Sequence, residues 1–284
     1  MRDVPKRADQ YDAQTLELAR AGLLHLATVL GDHLDEVMVI GGLVPSLIAP
    51  PPPDDPHAEP HLGTRDVDVA LALSVLDDDR YHAIAERLRA AGFAPDVNEN
   101  GNPTFQRWVL APAANVPVDL LIPTTTDTEP GKVKKLDPTS GAVATRALAD
   151  AFRTRVPVIL SGRTLANETA ARTVFVCGPA GFVVLKALAL RNRGEAKDAY
   201  DLYYVLKYHP DRPAGIAAAL ARLGAGTLRE PDALDDALTF LAEDFATIDH
   251  IGAARAGAFL GNTPDPAVAA DVVAHVGALL RAMG

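Results

Sequence analysis

Apolar spacing divides the chain into a mixed first part and an almost wholly helical second part. Residues 12 to 30 carry Leu16, Leu18, Ala19, Leu23, Leu26 and Leu30 at helical intervals, which predicts an amphipathic helix. The run Val37-Met38-Val39-Ile40 predicts a short buried strand over 36 to 40, ended by Gly41-Gly42. Leu43 to Ala49 read as a short helix, 65 to 73 as a strand, and Asp78 to Ala91 as a helix stopping at Gly92. Phe105 to Leu110 and Val116 to Ile122 read as consecutive strands, and the Thr- and Gly-rich stretch after Pro123 as a loop to Gly141. Arg155 to Leu160 and Thr173 to Cys177 predict two more strands around Ser161-Gly162. Beyond Gly178, helices are expected over 180 to 192, 195 to 207, 213 to 223, 232 to 247 and 266 to 282. The proline-rich insertion Pro50 to Pro53 with Asp54, Asp55 and Pro56 predicts an extended surface loop that leaves the core intact.

Chemistry enters where polar residues interrupt these patterns. A backbone ending in Gly41-Gly42 can approach a phosphate closely, and the following helix would offer free N–H groups to an anion; a plain tight turn is the alternative. Asp66 and Asp68 stand two apart, so in a strand they share one face at ~6.6 Å while Val67, Val69 and Leu71 point inward. Two such carboxylates repel unless a cation lies between them, and Mg²⁺ accepts a few carboxylates plus phosphate oxygens. A solvated strand face is the competing reading. Asp119 interrupts the apolar strand Val116 to Ile122. Beside the Asp66/Asp68 strand it would complete a three-carboxylate metal site; otherwise it caps the turn toward Pro123.

Pro179 opens a helix that carries Lys186 among Phe182, Val183, Ala189 and Leu190. An ammonium alone on an apolar helix either snorkels to water or meets an anion, such as a triphosphate. On the next helix, Lys197 precedes Asp201 by four and Asp198 precedes it by three, which an exposed ion-paired surface would explain without chemistry.

A strand ending in Gly-Gly, then Asp66-Val67-Asp68, then a later strand Asp resembles the DNA polymerase β nucleotidyltransferase superfamily. Thr64-Arg65-Asp66-Val67-Asp68, Val116 to Leu121, Lys186 with Arg193, and Lys197-Asp198 with Asp201 together resemble the AbiEii family of bacterial nucleotidyltransferase toxins, to which the MenT toxins also belong. The resemblance covers residues 35 to 207 and rests on the motifs as a set. It implies an α+β fold: a polymerase-β-like mixed sheet with flanking helices in residues 1–177, then a mostly helical lobe, 178–284, that contributes Lys186 and Asp201.

It also implies an enzyme that moves a nucleotide from a nucleoside triphosphate, CTP or another pyrimidine, onto an acceptor such as the 3′ end of tRNA, blocking translation. Asp66 and Asp68 would bind Mg²⁺ or Mn²⁺ and act catalytically with Lys186 and Asp201, and Asp119 would be a metal ligand by the wider superfamily's pattern. Gly41, Gly42, Thr64, Arg65 and Lys186 would contact the nucleotide. Arg193, Lys197 and Asp198 would orient Asp201 or grip the acceptor. A cognate antitoxin is the expected partner.

Composition sets limits. The 284 residues can bury a sizeable core, and 48% hydrophobic with 23% charged residues suits a soluble globular chain. No run of ~20 unbroken apolar residues and no signal-peptide core is present, so no membrane and a cytoplasmic location are expected. The single cysteine, Cys177, reads as a buried hydrophobe. A net charge of −10 opposes a nucleic-acid substrate unless Lys132, Lys134, Lys135, Arg146, Arg153, Arg155 and Arg163 form a basic groove. Transfer to a small molecule or a protein, and a noncatalytic nucleotide- or partner-binding regulator, are the alternatives. Two intact repelling carboxylates argue against the regulator.

Overall fold

The computed structural model describes residues 7–56, 58–64, 66–71, 78–110, 114–261 and 265–284. Asp12 accepts from Thr15 N and opens helix α1 (Ala13–Leu30). It leads to β1 (Val37–Ile40), α2 (Val44–Ile48), β2 (Val67–Leu71) and α3 (Asp78–Ala90). Next come β3 (Phe93–Val97), β4 (Pro103–Leu110), β5 (Ala114–Pro123), β6 (Val133–Asp137) and β7 (Ser140–Thr145). One-turn helix α4 (Leu148–Ala151) precedes the hairpin β8 (Val156–Arg163) and β9 (Thr169–Val176). The remainder is helical: α5 (Pro179–Arg193), α6 (Ala196–Tyr208), α7 (Arg212–Gly224), α8 (Pro231–Asp244), α9 (Ile251–Leu260) and α10 (Pro266–Met283).

The strands form one mixed sheet in the order β3-β4-β5-β2-β1-β9-β8. The far end of β5 exchanges β4 for β7 as its neighbour, and β7 carries β6. Strand pairs β1/β9, β2/β5 and β5/β7 are parallel and the others antiparallel. The mixed sheet with flanking helices agrees with the expected α+β fold. Helix α1 packs against β9, β8 and β5, and its Leu23 and Leu26 meet Val39, Val69 and Val174. Alternation along β2 therefore sends Val67 and Val69, both buried, toward α1 and leaves Asp68 on the opposite face.

The expected loop from Pro123 to Gly141 is corrected by the β6–β7 hairpin. Charged Lys134-Lys135 and small Gly141-Ala142 hide a strand signal, yet the small residues allow close pairing: a Cβ on Gly141 would lie 2.5 Å from Lys134 O. Strand β3 and helix α9 were likewise not expected. The proline-rich segment is largely exposed, but its return leg is not a surface loop. His61 is 3% exposed, Leu62 N donates to the Tyr200 hydroxyl at 3.3 Å, and Tyr204 donates to Glu59 O at 3.0 Å. Cys177 is fully buried, and burial pushes its thiol up to about 12.

Among the described residues, α10 is long and apolar enough to cross a membrane. It packs instead on α7, α9 and α6 through Ala269, Val272, Val276 and Leu279, and its Asp271 pairs with Lys207 at 2.8 Å. One buried stripe on an otherwise open helix of the bundle accounts for that placement.

Candidate active site

Register alone assembles a row of chemistry across four strands. Ile40 lies opposite Asp68, Asp68 beside Asp119, and Asp119 opposite Arg107. Gly41 adopts φ 73, and a Cβ there would fall 1.8 Å from Asp68 Oδ2, so only glycine lets the carboxylate rest on the turn. Thr64 stands beside Gly42, which a Cβ would bring within 3.0 Å of both Thr64 and Lys197 Nζ. Thr64 Oγ1 accepts from Asp66 N at 3.4 Å. Arg65 lies outside the described residues.

Electrostatics set Asp68 apart. Burial, then the neighbouring Asp119 and Asp66 carboxylates, raise its pKa to about 7, while Arg193 and Lys186 pull the other way. Asp119 is differently placed. Arg107 donates to it through Nε at 2.7 Å and Nη2 at 2.5 Å, and Nη2 also reaches Asp66 Oδ2 at 3.3 Å. Sequence reasoning missed Arg107, although a lone arginine in a strand beside the acid strand was a signal.

The second half of the site is built by the α5–α6 hairpin. Gly178 and Pro179 start α5, and Gly194 in the left-handed region ends it, so α6 folds back along the face that carries Lys186. Lys186 does not stand alone as expected. Its Nζ donates to Asp198 at 2.8 Å and to Asp201 at 2.6 Å. Arg193 grips Asp198 through two nitrogens, at 2.7 and 2.8 Å, and Lys197 reaches Asp201 at 2.7 Å. The exposed ion-paired surface is therefore overturned for Asp198 and Asp201, which are 1% and 0% exposed. A buried carboxylate is tolerable only with such partners.

His61, which carried no local sequence signal, completes the network. Its Nδ1 accepts from Gly63 N at 3.0 Å, so Nε2 carries the proton and donates to Asp201 at 2.9 Å. Burial lowers its pKa to about 4 against the pull of Asp201. Burial would raise Asp201, yet Lys186, Lys197 and His61 hold it well below the carboxylate range. Burial also opposes the charge on both lysines: Asp198 and Asp201 overcome it at Lys186, whose pKa rises, whereas Lys197 is lowered.

The site thus sets a carboxylate-rich sheet end, where one guanidinium holds two of three acids, against a helical wall where three cations share two acids. The same side chains influence one another across the gap, since Lys186 and Arg193 act on Asp68. Among the described residues, no three His, Cys, Asp or Glu side chains are gathered into a ready-made metal cage. Two of the arginines expected in a basic groove are taken up within the chain, Arg146 by Asp236 and Arg153 by Asp150, and Arg155 and Arg163 lie at opposite ends of β8.

A search of curated proteins finds no match. The family model described as "Nucleotidyl transferase AbiEii toxin, Type IV TA system" matches residues 63–273, from the loop before Asp66 into the first half of α10. The chain accordingly belongs to the AbiEii family of nucleotidyltransferase toxins, and its enzymatic class is nucleotidyl transfer.

Proposed function

We propose that the chain transfers a nucleotide from a nucleoside triphosphate to the 3′ end of tRNA, using Mg²⁺ or Mn²⁺ held by Asp66, Asp68 and Asp119, and that a cognate antitoxin restrains it. The observation that carries this reading is the placement of Asp68 on the glycine turn, in register with Asp119 and next but one to Asp66. That donor set suits Mg²⁺, which takes one or two carboxylates and completes its shell with water and phosphate oxygens. When bound, the metal would neutralise phosphate charge and favour a deprotonated attacking hydroxyl.

The chain's own groups do the rest. Gly41 and Gly42 let the nucleotide phosphates approach the backbone, with Thr64 beside Gly42; Arg65 is a further nucleotide contact by resemblance to the family alone. Lys186 supplies positive charge opposite the carboxylates. Asp201 holds that ammonium and Lys197 in fixed positions, and Asp198 does the same for Lys186 and Arg193. The acceptor hydroxyl would attack the α-phosphorus in line, forming the new P–O bond as the bond to pyrophosphate breaks. Resemblance to the family favours CTP or another pyrimidine as donor.

A small-molecule acceptor is the second reading, favoured by the net charge of −10 and by arginines committed to separate intramolecular partners. Incubation with each α-labelled triphosphate, Mg²⁺ and total tRNA separates the two. Label on the RNA 3′ end supports the proposal; label confined to small molecules or to protein overturns the tRNA acceptor.

A further inference from the structure

Arg107 occupies the oxygens that a metal would need. It sits directly opposite Asp119 in the β4–β5 pairing, and the adjacent Trp108, fully buried, anchors that strand in the core. Its guanidinium forks Asp119 and extends to Asp66 Oδ2, bridging two of the three carboxylates. A guanidinium keeps its charge at any physiological pH, so it cannot release these oxygens by losing a proton.

We propose that Arg107 is the resting counter-ion of the carboxylate cluster and makes the site take up metal and nucleotide together rather than free metal; this rests on the metal reading above. A cation arriving alone must break the fork and leave the half-buried guanidinium without an anion. A cation arriving with a triphosphate brings the replacement partner, because phosphate oxygens accept the same forked geometry that Asp119 offers. Arg107 is therefore a positioning residue: it acts on the order of loading.

Protein-bound Mn²⁺, measured by equilibrium dialysis of the full chain, tests this with Mn²⁺ alone and with the α,β-methylene analogue of CTP present on both sides of the membrane. The wild type should bind free Mn²⁺ about tenfold or more weakly than it binds Mn²⁺ with the analogue, and Arg107→Gln should reduce that gap to about threefold by tightening free-metal binding. Equal or weaker free Mn²⁺ binding in Arg107→Gln overturns the proposal. Should that variant not fold, Arg107→Lys decides, since it keeps the charge but not the fork: tighter free Mn²⁺ than the wild type supports the proposal and unchanged affinity rejects it. Asp68→Asn separates the two levels. If it leaves Mn²⁺–analogue uptake intact, the metal reading itself fails and the proposal falls with it. If it abolishes uptake while the Arg107 variants match the wild type, only the role of Arg107 is lost.

Discussion

The Nε2 atom of His61 lies 2.9 Å from Asp201 Oδ1, with both side chains fully buried. This contact fastens the loop leading into Asp66 to the middle of α6, next to the Tyr200 and Tyr204 contacts. His61→Ala removes a donor from Asp201 and an acceptor from Gly63 N. It should destabilise the protein by about 2–4 kcal/mol, read as a lower urea midpoint, and should reduce transfer as the loop loosens. An unchanged midpoint would show that the loop is held by other contacts.

His61 and Asp68 oppose each other as pH changes. The folded pKa of His61, about 4, lies below its ordinary 6.5, so its contribution is complete above 6.5 and is lost as pH falls toward 4. Asp68 is raised from 3.8 to about 7, so its contribution is complete below 3.8 and is lost as pH rises through 7. The two slopes offset between pH 4 and 6.5. Asp68→Asn should therefore stabilise the metal-free protein by about 2 kcal/mol at pH 8. Its stability should also fall more steeply than the wild type's between pH 6.5 and 4.5. Thermal melts in chelator check both; parallel profiles would contradict the opposition.

Lys186 and Lys197 should separate by stability. Lys186→Met leaves Asp198 and Asp201 short of a shared cation in a buried setting and should cost about 3–5 kcal/mol. Lys197→Met leaves Asp201 still bonded to Lys186 and His61, so its midpoint should move by roughly a third as much. Denaturant unfolding of the two variants gives the comparison, and equal losses would refute the hierarchy.

Gly41→Ala places a methyl where Asp68 Oδ2 sits, in a backbone conformation that disfavours side chains. Transfer should fall by about 100-fold or more, in the range expected for an ångström-scale misplacement of a reacting group. Gly101→Ala, also at positive φ but with nothing within 4 Å, should leave kcat within about twofold while sharing the backbone strain. Similar losses in the two would mean that strain, and not displacement of Asp68, is responsible.

Periodicity made the sheet strands around the site legible: the alternation of Val67 and Val69 with Asp68, and the lone Asp119, put both acids in strands, while their being neighbours was a condition that only the β2/β5 register meets. Pairing partners were less visible. Asp198 and Asp201 read as a solvated face because charge at helical spacing does not reveal what an antiparallel neighbour presents, and here that neighbour is Lys186. Arg107 depended on a register that strand composition leaves open. His61 was hidden by a proline-rich insertion, where no periodicity marks one residue as inward. The β6–β7 hairpin was missed because lysines and small residues resemble a loop until a neighbouring edge, β5, accepts them.

The most direct test follows the α-phosphate itself. Wild-type protein, Asp66→Asn and Asp68→Asn are each incubated with triphosphate labelled at the α or γ position, Mg²⁺ and total tRNA. Label should reach RNA from the α position alone, require Mg²⁺, and disappear in both variants while their folds remain intact by circular dichroism. Transfer that persists without Asp68, or that moves the γ-phosphate, would contradict a nucleotidyl transfer site built on these carboxylates.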